Sequence, residues 1–410
     1  MIWILFLLLL SGCNSENIME DSGAKKELHL NESNFPSDAI FIAPNDPQAN
    51  DANSGTEATY IGNGIGPKKS LNFSGLSGGV YVLLGNITID EPIIITHYSD
   101  KPLIIMGQGS IDGGEVFTSS RLKRMALLKD YKPQVREVFL LNGRNIILDG
   151  LTIRNGFRHV INIQGQNIII RNSKIHGTYE DAIKVVKGAN NGVIEGNEIT
   201  GFSSQAVDFF AGINWTIQNN KIHSPRADPV TGKINSNAIG LKGGAENVTI
   251  ENNTIFNMGG DERFLGSIAL GGTGDLDLYR RENNHLLPAA MNINVYNNEI
   301  IDYEGFGFSI VSCSNCTIIN NKISARGGIW VDHDDNLPTA KEVKFYNNNL
   351  TIMDEYDDYA VMFFRGSIED FESANNIYKL STERFYIDGF DRTHQEFSKY
   401  IGTDETSIVK

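Results

Sequence analysis

One motif returns every 22 to 24 residues through the middle of this chain, and it limits the fold more than any other feature of the sequence. Each copy joins a β-branched strand, a pair of small or amide residues, and another Ile. Examples are Ile168-Ile169-Ile170-Arg171-Asn172-Ser173-Lys174-Ile175, Thr216-Ile217-Gln218-Asn219-Asn220-Lys221-Ile222 and Thr317-Ile318-Ile319-Asn320-Asn321-Lys322-Ile323. Ile153 to Ile175 is 22 residues, Ile175 to Ile199 is 24, Ile199 to Ile222 is 23 and Ile300 to Ile323 is 23. Ile222 to Ile255 (33) and Ile255 to Ile300 (45) are longer, which reads as one coil plus an insertion each, near 225–235 and 259–290.

Short strands at this period, with no helical periodicity, predict the coils of a solenoid of strands. Leucine-rich repeats share the period but need regular Leu, which is sparse here. The expected fold class is therefore all-β, a right-handed parallel β-helix over 39–410 with a short helical C-terminal cap. Aligned Asn197, Asn220, Asn253, Asn298 and Asn321 are expected to stack in one turn, each amide bonding the next. Asn suits such a turn because it tolerates the left-handed conformation. These most repetitive residues thus read as structural. Open solenoid ends need covering, and Thr393-x-x-Glu396 is a capping box that predicts a short helix ended by Gly402.

Ile2 to Leu10 is apolar but too short to span a bilayer, and reads as the core of a signal peptide. It ends Leu10-Ser11-Gly12-Cys13, which resembles the lipobox of bacterial lipoproteins, although no Lys or Arg precedes the apolar run. That resemblance implies a lipoprotein signal peptide over 1–12, lipidation of Cys13 and a polar tether over 13–38. The implied location is the cell envelope, anchored to a membrane by lipid. Asn14 points to the outer membrane, with the body facing the periplasm or the cell surface, as a monomer. Of the remaining cysteines, Cys313 and Cys316 read as small packing residues or a disulfide, since zinc would need two further ligands.

The chain carries 50 acidic and 35 basic residues, a net charge of −15, with no long basic run. That excludes the clustered Lys and Arg on which nucleic-acid binding draws. It also opposes any polyanionic partner unless a local Lys or a divalent cation overcomes the repulsion.

Three segments resemble secreted β-helical polysaccharide lyases, especially pectate lyases of the family-nine type. They are Ile42-Ala43-Pro44-Asn45 with Asn50 to Thr56, Val80-Tyr81-Val82-Leu83-Leu84-Gly85 with Ile111-Asp112-Gly113, and the closing Gly402-Thr403-Asp404-x-x-Ser407. The resemblance implies that Asp residues on consecutive coils hold Ca²⁺ and that a Lys one coil later takes a proton. The matching stretch runs Glu180 to Val185, Gln205 to Phe210 and Asn237 to Gly244. Asp181 and Asp208 match family Ca²⁺ positions. Two further family acids are replaced by Ser204 and Gln205, and Lys242 lies two residues beyond the family's Lys, where this chain has Gly240.

Uronate polymers break by β-elimination. A base removes the proton at C5, and neutralising the adjacent carboxylate makes that proton removable. The implied assignment is Lys242 as base, with Asp181, Asp208 and Glu180 binding the cation. Lys184, Lys187, His223 and Arg263 are candidate contacts to an acidic polysaccharide. If Ile183, Val207 and Ile239 face inward, Lys184 and Asp208 face outward along one line, with a bend expected near Gly240 to bring Lys242 into it. The plain alternative is that Lys184 and Asp208 are a cross-coil ion pair. His176 and His223 read as turn residues, and Asp332-His333-Asp334-Asp335 as a solvated turn. His159 beside Arg158, the insertion residues Arg280, Arg281 and His285, and the aromatic residues Phe209, Phe210 and Trp215 are further candidates for sugar contact. A glycoside hydrolase, a uronate epimerase and a non-catalytic glycan-binding lipoprotein stay open beside the lyase. The polygalacturonase motif set that a hydrolase of this fold would carry is not in the sequence.

Overall fold

A computed structural model describes residues 35–70, 76–114, 136–228, 232–259, 266–272, 274–353, 359–363 and 368–410. Cys13 and Arg263 lie outside them. The repeated Ile residues become three stacks. In the first, Ile170, Ile194, Ile217, Ile250, Val295, Ile318 and Phe345 are consecutive partners in one parallel ladder. The second joins Ile153, Ile175, Ile199, Ile222, Ile255, Ile300, Ile323 and Leu350. The third joins Ile161, Ile183, Val207, Ile239, Ile268, Phe308 and Ile329. All of these side chains are buried, and together they fill one continuous interior. Each contributes about 1.5–3 kcal/mol by leaving water, so the period of the sequence is the period of the core.

The Asn stack forms as expected and runs further. Asn197 donates to Asn220, and the chain continues through Asn253, Asn298, Asn321 and Asn348 to Asn376. The second amide hydrogen bonds a carbonyl of the preceding coil, as from Asn220 to Ile194. The conformational reason needs correction. The left-handed residue is the one before each stacked Asn, namely Asn219, Asn252, Asn297 and Asn320, at φ 55 to 57. The stacked Asn is instead selected because a buried amide can donate and accept at once. A second, exposed Asn stack, Asn191–Asn214–Asn247, carries left-handed φ itself.

At the C-terminus, helix α1 (His394–Ile401) carries the full capping box between Thr393 and Glu396, and Gly402 ends it at φ 72. Its buried Phe397 packs against Phe363 and Phe385 of the last coils. Cys313 and Cys316 are buried in the first ladder and joined as a disulfide. No helix among the described residues is long and apolar enough to cross a membrane.

The insertion expected over 259–290 is not continuous. Gly266–Gly271 is a coil strand that pairs on both sides, and the described extra chain after it is 274–289. Tyr279 of that loop packs edge-on to Phe210, and Arg280 bonds the Gly244 carbonyl and Glu246.

Candidate functional site

The third ladder contains β1 (His159–Ile163), β2 (Asp181–Val185), β3 (Gln205–Phe210), β4 (Asn237–Lys242), β5 (Gly266–Gly271), β6 (Glu299–Val311) and β7 (Lys322–Val331). Because Ile183, Val207 and Ile239 face the core, their neighbours face out. The outward row is Asn162, Lys184, Asp208, Gly240, Ala269, Ser309 and Trp330, all in register. The side chains dwindle to Gly and Ala just beyond Asp208, so the face becomes a groove there.

Lys184 and Asp208 stand directly opposite, and the Lys184 ammonium donates to Asp208 Oδ2. The expected bend near Gly240 is absent: Gln205 to Phe210 pairs without slip against Asn237 to Lys242. Lys242, opposite Phe210, reaches back instead, placing Nζ 3.2 Å from Asp208 Oδ1. It has room because Gly240 lies between them in the row. Lys184 Nζ is also 3.5 Å from Asp181 Oδ2. Asp181 Oδ2 in turn faces His159 Nδ1 at 3.5 Å, and that nitrogen has no hydrogen-bond partner. Glu180 is engaged by Arg158 at 2.6 Å.

Burial, followed by the charge of Asp208, pushes the Asp181 carboxyl up to about 7, and the two lysines only partly offset this. Burial acts on Asp208 in the same direction, but Lys242 and Lys184 outweigh it and hold that carboxyl below its ordinary value. For Lys184 the desolvation that would lower its pKa is outweighed by Asp208 and Asp181, and its ammonium form is favoured. Burial, with Lys184 and Arg158 nearby, drives His159 down to about 3, so it is neutral near pH 7.

Lys242 therefore joins two regions. Behind it lies the buried cluster, where the Asp208 side chain is only 2% exposed; before it lies a groove of about 530 Å³. Gln205, Gly240, Ala269 and Ser309 line the groove on the ladder side, and Asp332 to Asn336 line it on the other. The acidic turn, read from sequence as merely solvated, is thus a groove wall with Asp332, His333 and Asp334 half-buried. A second hollow of about 600 Å³, beside the end of α1, is lined by Lys344, Glu372 and Asp388 and by none of the shifted carboxyl groups.

Other sequence candidates fall elsewhere. Lys187 is exposed in the turn after β2. His223 belongs to the second ladder, stacked on Phe256 at 4.4 Å and bonded to Ser224. Phe209 and Trp215 are core residues and Phe210 packs under Tyr279 of the 274–289 loop, so these three are not sugar platforms. Asn162, Gln205 and Ser309 were missed. Asn162 and Ser309 stand one or more coils from Lys184 or Asp208 in the row, and Gln205 lies on the strand of Asp208, but the register had to be known.

Groups of His, Asp and Glu able to hold a metal include, among the described residues, His159, Glu180 and Asp181. The Asp181 and Asp208 pair expected to hold Ca²⁺ does not suit it. Calcium takes six to eight oxygens, whereas here one ammonium lies between the two carboxylates and a second stands 3.2 Å from the remaining Asp208 oxygen, which has no hydrogen-bond partner.

The family model for the right-handed β-helix region matches residues 137–286. No curated protein sequence matches the chain. Among solved structures, it is similar to XylC in complex with xylose, with 10% identity and a TM-score of 0.51 over 91% of this chain and 86% of that one. It is also similar to pectate lyase Pel9A, at 11% identity and a TM-score of 0.47 over 91% and 78%. A third is the A-module of the Azotobacter vinelandii mannuronan C-5 epimerase AlgE6, at 14% and 0.47 over 82% and 80%. With its three stacked parallel ladders, this chain folds as a right-handed parallel β-helix.

Proposed function

We propose that this protein is an enzyme that cleaves an acidic, uronate-containing polysaccharide by β-elimination in the groove beside β4. The observation that carries the reading is the convergence of Lys184 and Lys242 on Asp208 where the outward row opens into that groove. Asp208 is paired with both lysines, and Lys184 leaves it a counter-ion when Lys242 turns to the substrate. In the reaction the Lys242 amine takes the C5 proton as the C5–H bond breaks. The electron pair forms the C4=C5 double bond, the C4–O bond breaks, and the leaving oxygen is protonated by solvent. Lys187 and Arg263 remain proposed contacts to the polymer; His223, held on another ladder, is not carried forward. No step is routed through calcium.

The sequence Leu10-Ser11-Gly12-Cys13 supports export and lipid anchoring at Cys13 in the cell envelope, with the body acting as a monomer. One observation favours a second reading. Asp332 and Asp334 share the groove with Lys242, and a glycoside hydrolase needs carboxylates facing an open cleft. Asp181 and Asp208 are buried and do not meet that need. Incubation of the mature protein with pectate, alginate and glycosaminoglycans, followed at the ultraviolet band of unsaturated uronates, separates the two. A rise lost in Lys242→Ala supports elimination. New reducing ends without that absorbance would give the site to hydrolysis.

A further inference from the structure

We infer that Lys184 is the resident cation of this site, an ammonium fixed between Asp181 and Asp208 that makes a bound divalent metal unnecessary. The inference deepens the proposed function and rests on the same cluster, but its test reads cation binding rather than turnover. Three observations carry it. Lys184 projects from β2 directly opposite Asp208, so its position is set by coil register rather than by a mobile loop. Its Nζ bonds Asp208 Oδ2 and lies 3.5 Å from Asp181 Oδ2, which is the space a bridging ion would take. The other Asp208 oxygen has Lys242 at 3.2 Å, and Glu180 is held by Arg158 at 2.6 Å, so the nearby carboxylates already have cationic partners.

The physical chemistry agrees. Two buried carboxylates on adjacent coils repel, and each costs heavily unless neutralised. One ammonium between them neutralises one of the two charges. A divalent ion brought to the same place would meet Lys184 and Lys242 at short range as well.

The experiment compares the mature full-length chain with Lys184→Met by thermal unfolding, in excess EDTA and with added CaCl₂, and by terbium luminescence with competition by Ca²⁺. Wild type is expected to have the same Tm in both conditions and no terbium signal at this site. Lys184→Met, which frees the two carboxylates, is expected to lose stability in EDTA, regain several degrees of Tm with Ca²⁺, and acquire a Ca²⁺-competed terbium signal. A wild-type Tm raised by Ca²⁺ and made insensitive by Asp181→Asn would overturn the inference, as would a folded Lys184→Met that binds neither ion. If Lys184→Met does not fold, Lys184→Arg decides alongside wild type. It keeps the charge and must stay Ca²⁺-insensitive, and a Ca²⁺ response in it sinks the idea. A protein with no lyase activity on any polymer would leave this comparison intact.

Discussion

Lys184 and Asp208 are register partners on neighbouring coils, and the salt bridge between them sits on the floor from which Lys242 reaches into the groove. Their side chains are 18% and 2% exposed, so the pair behaves as a buried one, in which each group is costly without the other.

Asp208→Ala removes the counter-ion of two lysines at once. Breaking a buried pair typically costs about 3–5 kcal/mol. Chemical denaturation of the variant should show a loss of that order, and a loss under about 1 kcal/mol would mean that the cluster is far more hydrated than its burial implies.

Lys242→Ala should still fold, at some cost in stability, since Lys184 keeps Asp208 paired when the second ammonium is removed. The rate of unsaturated-product formation should fall by roughly 10²–10⁴, the usual contribution of a positioned base. Retained activity would move the base to another residue.

Gly240 keeps the groove floor low, and a Cβ there would collide with the flexible end of Gln205. Gly240→Ala should fold after Gln205 turns aside, whereas Gly240→Leu fills the floor between Asp208 and Ala269. For the Leu variant KM for polymer should rise with Tm kept, as measured by initial rates beside a melting curve.

Stability should respond to pH through two opposed groups. Between pH 3.8 and about 7, folded Asp181 keeps a proton that the unfolded chain releases, so its contribution falls as pH rises. Between about 3 and 6.5, unfolded His159 binds a proton that the folded ring does not, so its contribution rises with pH. The two slopes offset each other over most of this range. Asp181→Asn should therefore gain stability relative to wild type as pH is raised from 4 to 7. Parallel denaturant midpoints across that range for both proteins would contradict the assignment.

Asn253 accepts from the Asn220 backbone and side chain and donates to Ile217 and Asn298. Asn253→Ala strands buried groups on the preceding coil, the Asn220 amide and the Ile217 carbonyl, each costing about 1–3 kcal/mol, and hydrogen exchange should quicken at Asn220 in particular.

The sequence alone determined the coil, because hydrophobic period and core period are the same quantity in a solenoid. Ile153, Ile175, Ile199 and Ile222 align by counting, and the Asn stack and the Thr393–Glu396 cap follow from local chemistry. Lys184 and Asp208 could also be gathered on one face from alternation along strands, whereas Asp181 shares its parity with the core residue Ile183. Partnership was decided only in three dimensions. That Lys184 lies between two carboxylates, that Lys242 reaches back over Gly240 without a bend, and that Asp332 and Asp334 wall the same groove all depend on inter-coil register and on insertion lengths. Asp208 and Asp332 are 124 residues apart with several coils between them, so counting along the chain does not bring those residues together. Burial completes the difference: two carboxylates of identical type are pushed in opposite directions because Asp208 has two ammonium groups and Asp181 shares one.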